Sequence, residues 1–245
     1  MKDWGALAEW FHENREANRT DYYLIQHPAL LELIGEVSGL KVLDLGCGPG
    51  SLAIALSELG AEVTAIDSSP TMLNIARKDA ERNGQRVRFI QGEVKEWEGP
   101  EANYDLVTAI NLLRYLERPS RLMPVVKRAL TSRGRFIISD VHPILNAGGR
   151  PRDLTERRVC EYFDRGESSM VFRDNGRKRQ VRFYCRPLSD IFSLLTENGM
   201  VVTKFSEPQP KESLVAEGNQ KYYEAGNRFP FCYLIEAMKW EGNNS

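Results

Sequence analysis

The sequence is short of several things that would narrow its role at once. It has four cysteines in 245 residues, Cys47, Cys160, Cys185 and Cys232, and no two form a Cys-x-x-Cys pair. With no disulfide framework or zinc-ligand spacing to read, a reducing compartment is expected. Three histidines leave a histidine-rich metal site without its ligands, so no metal is expected. Net charge is missing too: 33 Lys and Arg stand against 34 Asp and Glu, a formal −1. So balanced a chain does not coat nucleic acid or an anionic membrane over its whole surface. It has no internal repeat, no low-complexity segment and no apolar run long enough for a bilayer, and its opening MKDWGALAEWFHENRE is too charged for a secretory signal. What is there is 42% hydrophobic, 27% charged and 9% aromatic, enough to bury a core. The expectation is a soluble cytoplasmic globular protein.

The first forty residues read as amphipathic helices, with Trp4, Leu7, Ala8, Trp10 and Phe11 at helical spacing and a second stretch over 27–37. Short apolar runs then alternate with helical ones: strands over 41–45, 62–66, 86–91, 104–110 and 135–140, and helices over 51–59, from Pro70 to Asn83-Gly84, and over 119–130. Such alternation means βαβ crossovers and a mainly parallel, doubly wound α/β sheet with helices on both faces. After His142-Pro143 it stops. Residues 146–186 carry three strand-like runs, near 158–163, 169–172 and 180–185, and Asp174-Asn175-Gly176 reads as the hairpin turn between the last two. It resumes with a helix over 188–197 capped by Gly199, a strand over 201–205, a long polar loop, and a final strand over 231–239. One domain is expected over 1–245: an N-terminal helical lid (1–39), a Rossmann-like core (40–142 and 187–245) and a β-rich cap insert (143–186).

The most informative segment is VLDLGCGPG, Val42 to Gly50. A buried strand runs straight into Gly46, Gly48 and Gly50 and a helix follows, so the chain turns sharply and exposes bare backbone to a ligand. In a doubly wound sheet this turn lies at the carboxyl edge of a central strand, where ligands bind. Asp67 ends the next strand, 21 residues past Gly46. A carboxylate there accepts the two hydroxyls of a ribose, which points to a nucleoside ligand. The spacing G-C-G-P-G departs from the dinucleotide fingerprint G-x-G-x-x-G. Pro49 removes an N–H that a pyrophosphate would use, and Asp44, two residues before Gly46, suits a cationic ligand better than a diphosphate.

These residues resemble the first motif of the class I (Rossmann-like) S-adenosylmethionine-dependent methyltransferases, hhDhGCGxG, strongly over Leu43 to Gly50. The likeness continues in IDSSPTML (66–73) and more weakly in FIQGEV (89–94), YDLVTAINLLRYL (104–116) and ALTSRGRFIIS (129–139). It implies a seven-stranded sheet with an antiparallel last strand, and S-adenosyl-L-methionine as cofactor with S-adenosyl-L-homocysteine as product. Residue by residue it implies that Gly46, Cys47 and Gly48 line the methionine part with Asp44 nearby. Asp67 with Ser68 would hold the ribose, Met72 would pack on the adenine, and Gly92, Glu93 and Val94 would meet the adenine edge. Glu93 replaces the commoner Asp. Asn111 and Leu112 would line the methionine side, and Tyr22 would close over the cofactor.

On the acceptor side the resemblance implies Trp10, Tyr23, Arg114 and Tyr115, with Arg114 standing where many small-molecule members carry His. Tyr184 and Arg186, in FYCRPLSD, resemble the Y-x-R-P-L-S segment of members with a β-type cap, and Arg186 suits a substrate carboxylate or a tie to an acidic neighbour. His142, in SDVHP at the mouth of the insert, is the candidate general base and acceptor contact, or else a loop-capping residue; His12 and His27 read as structural. Asn111–Arg114 reads N-L-L-R rather than [DN]-P-P-[YF], no cysteine follows a proline, and no catechol-type metal cluster assembles. A small, planar or heteroaromatic acceptor methylated on N or O is therefore expected, with no DNA or membrane partner and a monomer or homodimer. An NAD(P)-dependent oxidoreductase would need another glycine spacing and a Tyr-x-x-x-Lys pair. A non-catalytic nucleoside-binding or RNA-associated module would have a cofactor pocket without an acceptor pocket. Residues 146–186 hold 11 Lys and Arg against 6 Asp and Glu, a basic cap on an acidic remainder.

Overall fold

The computed structural model describes residues 22–147, 158–174 and 177–240, with side chains described from Leu24 on except at 172–179. Trp10 and the first amphipathic stretch lie outside the described residues. In chain order the elements are a π-helical turn Tyr22–Gln26 running into α1 (His27–Ile34), β1 (Lys41–Leu45), α2 (Ser51–Glu58), β2 (Glu62–Asp67), α3 (Pro70–Arg82), β3 (Val87–Gln91), β4 (Tyr104–Ile110), α4 (Met123–Ala129), β5 (Leu130–Val141), β6 (Gly166–Asp174), β7 (Arg177–Cys185), α5 (Leu188–Glu197), β8 (Met200–Ser206), α6 (Ser213–Ala216), α7 (Gln220–Gly226) and β9 (Cys232–Lys239).

Seven strands form one sheet in the order β3-β2-β1-β4-β5-β9-β8, with β9 antiparallel to both neighbours. The period of two along each strand builds a core on either face. Leu43, Leu45, Val107, Phe136 and Ile138 join α4 and α5 in one apolar cluster. Val42, Val63, Leu106, Ile137 and Leu234 join α1 and α2 in the other. This is the doubly wound sheet that the alternation implied, and its crossover puts the carboxyl ends of β1, β2 and β4 side by side.

Three sequence expectations are corrected. The fifth strand does not begin at 135: β5 runs unbroken from Leu130 through Arg133-Gly134, with a register shift against β4 between Tyr104 and Leu106. Gly134 is glycine because a Cβ there would stand 2.9 Å from the Tyr104 carbonyl oxygen. Residues 158–163 form no strand; Val159 and Phe163 are exposed, and only β6 and β7 pair, with Asp174 opposite Arg177 across the expected turn. The long polar loop after β8 contains α6 and α7, whose Leu214 and Ala225 pack with Phe231 and Ile25 in a small separate core. Among the described residues no helix is long and apolar enough to cross a membrane, and no group of three or more His, Cys, Asp or Glu side chains is placed to hold a metal.

Candidate functional site

The glycine turn is pinned from beneath. Both Gly46 and Cys47 donate their N–H to the Ile66 carbonyl of β2, at 2.8 and 3.0 Å. Gly46 adopts φ +71, and a Cβ on it would meet Leu112 at 2.7 Å, so Leu112 sits directly on the turn. Gly48, at φ +53, donates to Asp67 Oδ2 at 2.9 Å, and nothing lies within 4 Å of where its Cβ would stand. Asp67 Oδ1 accepts from Ser69 N–H at 2.8 Å. Burial pushes the Asp67 carboxyl up, while backbone N–H groups of Ser69, Gly48 and Ser68 pull it back. Gly92 N–H caps the Asp67 carbonyl at 3.0 Å and its own side-chain direction is open. The result is a carboxylate held by backbone donors of the two turns, facing bare backbone at Gly48 and Gly92.

Asp44 is buried beneath the same turn, its carboxylate taking the Thr108 hydroxyl at 2.7 Å. Burial, with a smaller push from Asp67, raises its pKa to about 6 against the Thr108 hydrogen bond. Burial and the two aspartates push the Cys47 thiol far up, so it stays protonated. Met72 is buried with Ile75, its N–H capped by Ser69 at 3.3 Å. Glu93 precedes a short turn, Val94–Glu96, and Val94 belongs to the main core, so its side chain packs inward.

Asn111 departs from ordinary backbone geometry. It stands just past β4 at φ +50, its N–H bonded to the Ser139 carbonyl at 2.7 Å. A left-handed non-glycine residue at the carboxyl edge of a sheet is held there by its surroundings. The holder is Gln26, which no motif singled out. Its buried side-chain amide exchanges two hydrogen bonds with Asn111, both 3.2 Å, and donates to the Ser139 hydroxyl at 2.7 Å. The available signal was a lone amide closing the apolar run YYLIQ. The π-helical turn that carries Tyr22 and Tyr23 also delivers this residue.

On the cap side, Arg114 is buried, its guanidinium carbon 4.4 Å from the Phe183 ring centre and 5.6 Å from that of Tyr115. Its backbone N–H donates to Asp140 Oδ2 at 3.1 Å, and its Nε lies 4.0 Å from Asp140 Oδ1. Burial pushes both the Asp140 carboxyl and the Tyr115 phenol up, and Arg114 opposes each shift. Arg186 does not present a free fork to substrate. It donates to the carbonyls of Leu113, Leu116 and Glu117, at 3.2, 2.5 and 2.9 Å, with Tyr184 stacked on it at 5.3 Å. It fastens the hairpin to the turn after β4.

His142 caps the turn Pro143–Leu145. Its Nδ1 accepts the Ile144 N–H at 3.2 Å, so in the neutral ring the proton is on Nε2, 2.8 Å from Glu207 Oε1 but outside hydrogen-bond geometry. Burial lowers its pKa and Glu207 partly restores it. Of the two readings of His142, the structure shows the capping one: the nitrogen that carries the lone pair serves the chain.

A methyltransferase-domain family profile matches residues 42–134. A Haemophilus influenzae uncharacterized protein is 28% identical over 89% of this chain and 88% of its own. The mitochondrial ubiquinone biosynthesis O-methyltransferase of Schizosaccharomyces pombe is 35% identical over 45% of this chain and 41% of its own length. The chain spans about half or less of such relatives. A Listeria monocytogenes crystal structure assigned as an S-adenosylmethionine-dependent methyltransferase superposes with a TM-score of 0.72 at 27% identity, covering 88% of this chain and 96% of that one. A Mesorhizobium loti methyltransferase structure shares the fold at TM-score 0.73 and 24% identity, over 91% and 99% of the two chains. The domain match falls on the strands that build the glycine turn, and the solved structure extends the likeness over 88% of the chain; residues 42–134 are a methyltransferase domain of the class I S-adenosylmethionine-dependent type.

Proposed function

We propose that the protein transfers the methyl group of S-adenosylmethionine to an oxygen or nitrogen of a small, planar or heteroaromatic metabolite. The observation that carries this reading is the Asp67 carboxylate, clamped by Gly48 and Ser69 N–H groups over a glycine turn that leaves its outer face open. Backbone N–H groups fix both oxygens, and a carboxylate oxygen accepts more than one hydrogen bond, which leaves acceptor capacity for two adjacent ribose hydroxyls. Open backbone at Gly48 and Gly92 admits a ligand at contact distance, and Asp44 answers a positive charge. The residues present thus fit the cofactor, which when bound supplies an electrophilic methyl on a sulfonium.

The chain's contribution is alignment and exclusion of water. Leu112 on Gly46 and the Gln26-held Asn111 shape one wall, and Phe183 with Tyr115 brings the cap against it. We assign no general base, since an acceptor with its own lone pair needs none. The ubiquinone-biosynthesis relatives are O-methyltransferases, which favours oxygen. We also read one domain, with 143–186 as its cap and 1–39 as its lid.

The test is a thermal-shift panel followed by labelled transfer. At ~100 times its dissociation constant a ligand stabilises by about 2.7 kcal/mol. S-adenosylhomocysteine is expected to raise Tm and NADH to leave it unchanged; stabilisation by NADH alone overturns the reading.

A further inference from the structure

Arg114 has a guanidinium that Asp140 and two aromatic rings surround without satisfying its hydrogen bonds. Its side chain is 8% exposed, yet Nε and Nη2 are both buried with no hydrogen-bond partner among the described residues. Those two nitrogens lie on one edge of the guanidinium, the edge that presents two parallel N–H groups to a planar oxyanion. Asp140 does not fill it. At 4.0 Å its nearer oxygen is beyond hydrogen-bond distance, and its oxygens already take the backbone N–H groups of Arg114 at 3.1 Å and Val141 at 2.8 Å. The second guanidinium of the cluster, Arg186, gives three of its five N–H groups to carbonyls. A buried and a half-buried cation therefore share one carboxylate, and the unpartnered nitrogens belong to the buried one.

Buried N–H groups of a cation left without an acceptor are costly unless something completes them. The Phe183 ring at 4.4 Å holds the guanidinium plane from the cap side. Arg114 stands two residues past Leu112, which rests on Gly46, so the turn after β4 carries both the wall of the glycine loop and this arginine. We propose that Arg114 is the binding site for a carboxylate on the methyl acceptor, which makes that acceptor an aromatic or heteroaromatic acid. The inference rests on the methyl-transfer reading and moves carboxylate recognition from Arg186 to Arg114.

The experiment titrates benzoate, and benzamide as its neutral isostere, into the full-length protein saturated with S-adenosylhomocysteine. Benzoate is expected to bind the wild type about tenfold more tightly than benzamide, a comparison needing no variant. Arg114→Gln is expected to abolish that preference while changing S-adenosylhomocysteine affinity less than about twofold. Equal binding of benzoate and benzamide overturns the proposal. So does a loss of S-adenosylhomocysteine affinity in Arg114→Gln with methylthioadenosine affinity unchanged, which would assign the fork to the cofactor's own carboxylate. Failure of S-adenosylhomocysteine to bind the wild type is a different result and sinks the cofactor reading instead.

Discussion

Gln26 and Asn111, 85 residues apart in the chain, face each other amide to amide and exchange two hydrogen bonds of 3.2 Å. Through this pair the segment before the first strand fixes the conformation of the residue after the fourth. Gln26→Ala leaves a buried amide and the Ser139 hydroxyl short of a partner, a loss of about 1–3 kcal/mol in chemical denaturation. It also frees Asn111 to leave φ +50, and affinity for S-adenosylhomocysteine is expected to fall about tenfold, or ~1.4 kcal/mol. A less stable variant with unchanged affinity would make the pair a fold contact only.

Asp67 separates binding from folding. Its two oxygens serve the Gly48 and Ser69 N–H groups, and an asparagine keeps just one acceptor oxygen. Asp67→Asn is expected to fold, with a Tm within a few degrees of wild type, and to lose most of the S-adenosylhomocysteine shift because the amide cannot accept two ribose hydroxyls. Calorimetric titration reads this directly, and wild-type affinity in the variant would remove Asp67 from the site.

Arg186 is a fastener, and its loss should loosen the cap before anything else. Lysine keeps the charge but cannot reach the Leu113, Leu116 and Glu117 carbonyls in one plane. Arg186→Lys is expected to speed hydrogen exchange and proteolysis across 166–185 while the amides of β1 and β4 keep their protection. Uniform loss of protection would instead make Arg186 part of the global core.

Chain punctuation made much of this legible. The glycine turn, Asp67 at a strand end and the Pro187-capped helix Leu188–Glu197 are local events, and a local pattern announces each of them. The failures are juxtapositions. Gln26, Asp140 and Glu207 act through partners 26 to 113 residues away or across the sheet edge, and nothing beside them in sequence marks that. Arg114 and Arg186 show the limit well. The sequence advertised an anion at Arg186 and not at Arg114, but which fork binds carbonyls depends on where the hairpin lands. His142 was legible as a residue at the right edge, while its capping bond to Ile144 was one of two open readings.

Asp44 makes the site sensitive to pH in a direction that can be worked out. Burial raises its pKa to about 6 in the folded protein, against an ordinary carboxyl near ~4. A raised carboxyl pKa stabilises the fold fully below the unfolded value, and that stability is lost as pH climbs through the folded one. The free protein should thus lose on the order of 3 kcal/mol between about pH 4 and 6 from this group alone, and Asp44→Asn should flatten that slope. A cation bound beside Asp44 reverses the preference by favouring the ionised form. Binding of the sulfonium cofactor, relative to its uncharged thioether product, should therefore strengthen from pH 5 to 7 in the wild type. In Asp44→Asn the ratio of the two affinities should stay flat. Parallel titrations of S-adenosylmethionine and S-adenosylhomocysteine across that range test it, and a pH-independent ratio in the wild type would place the sulfonium out of reach of Asp44.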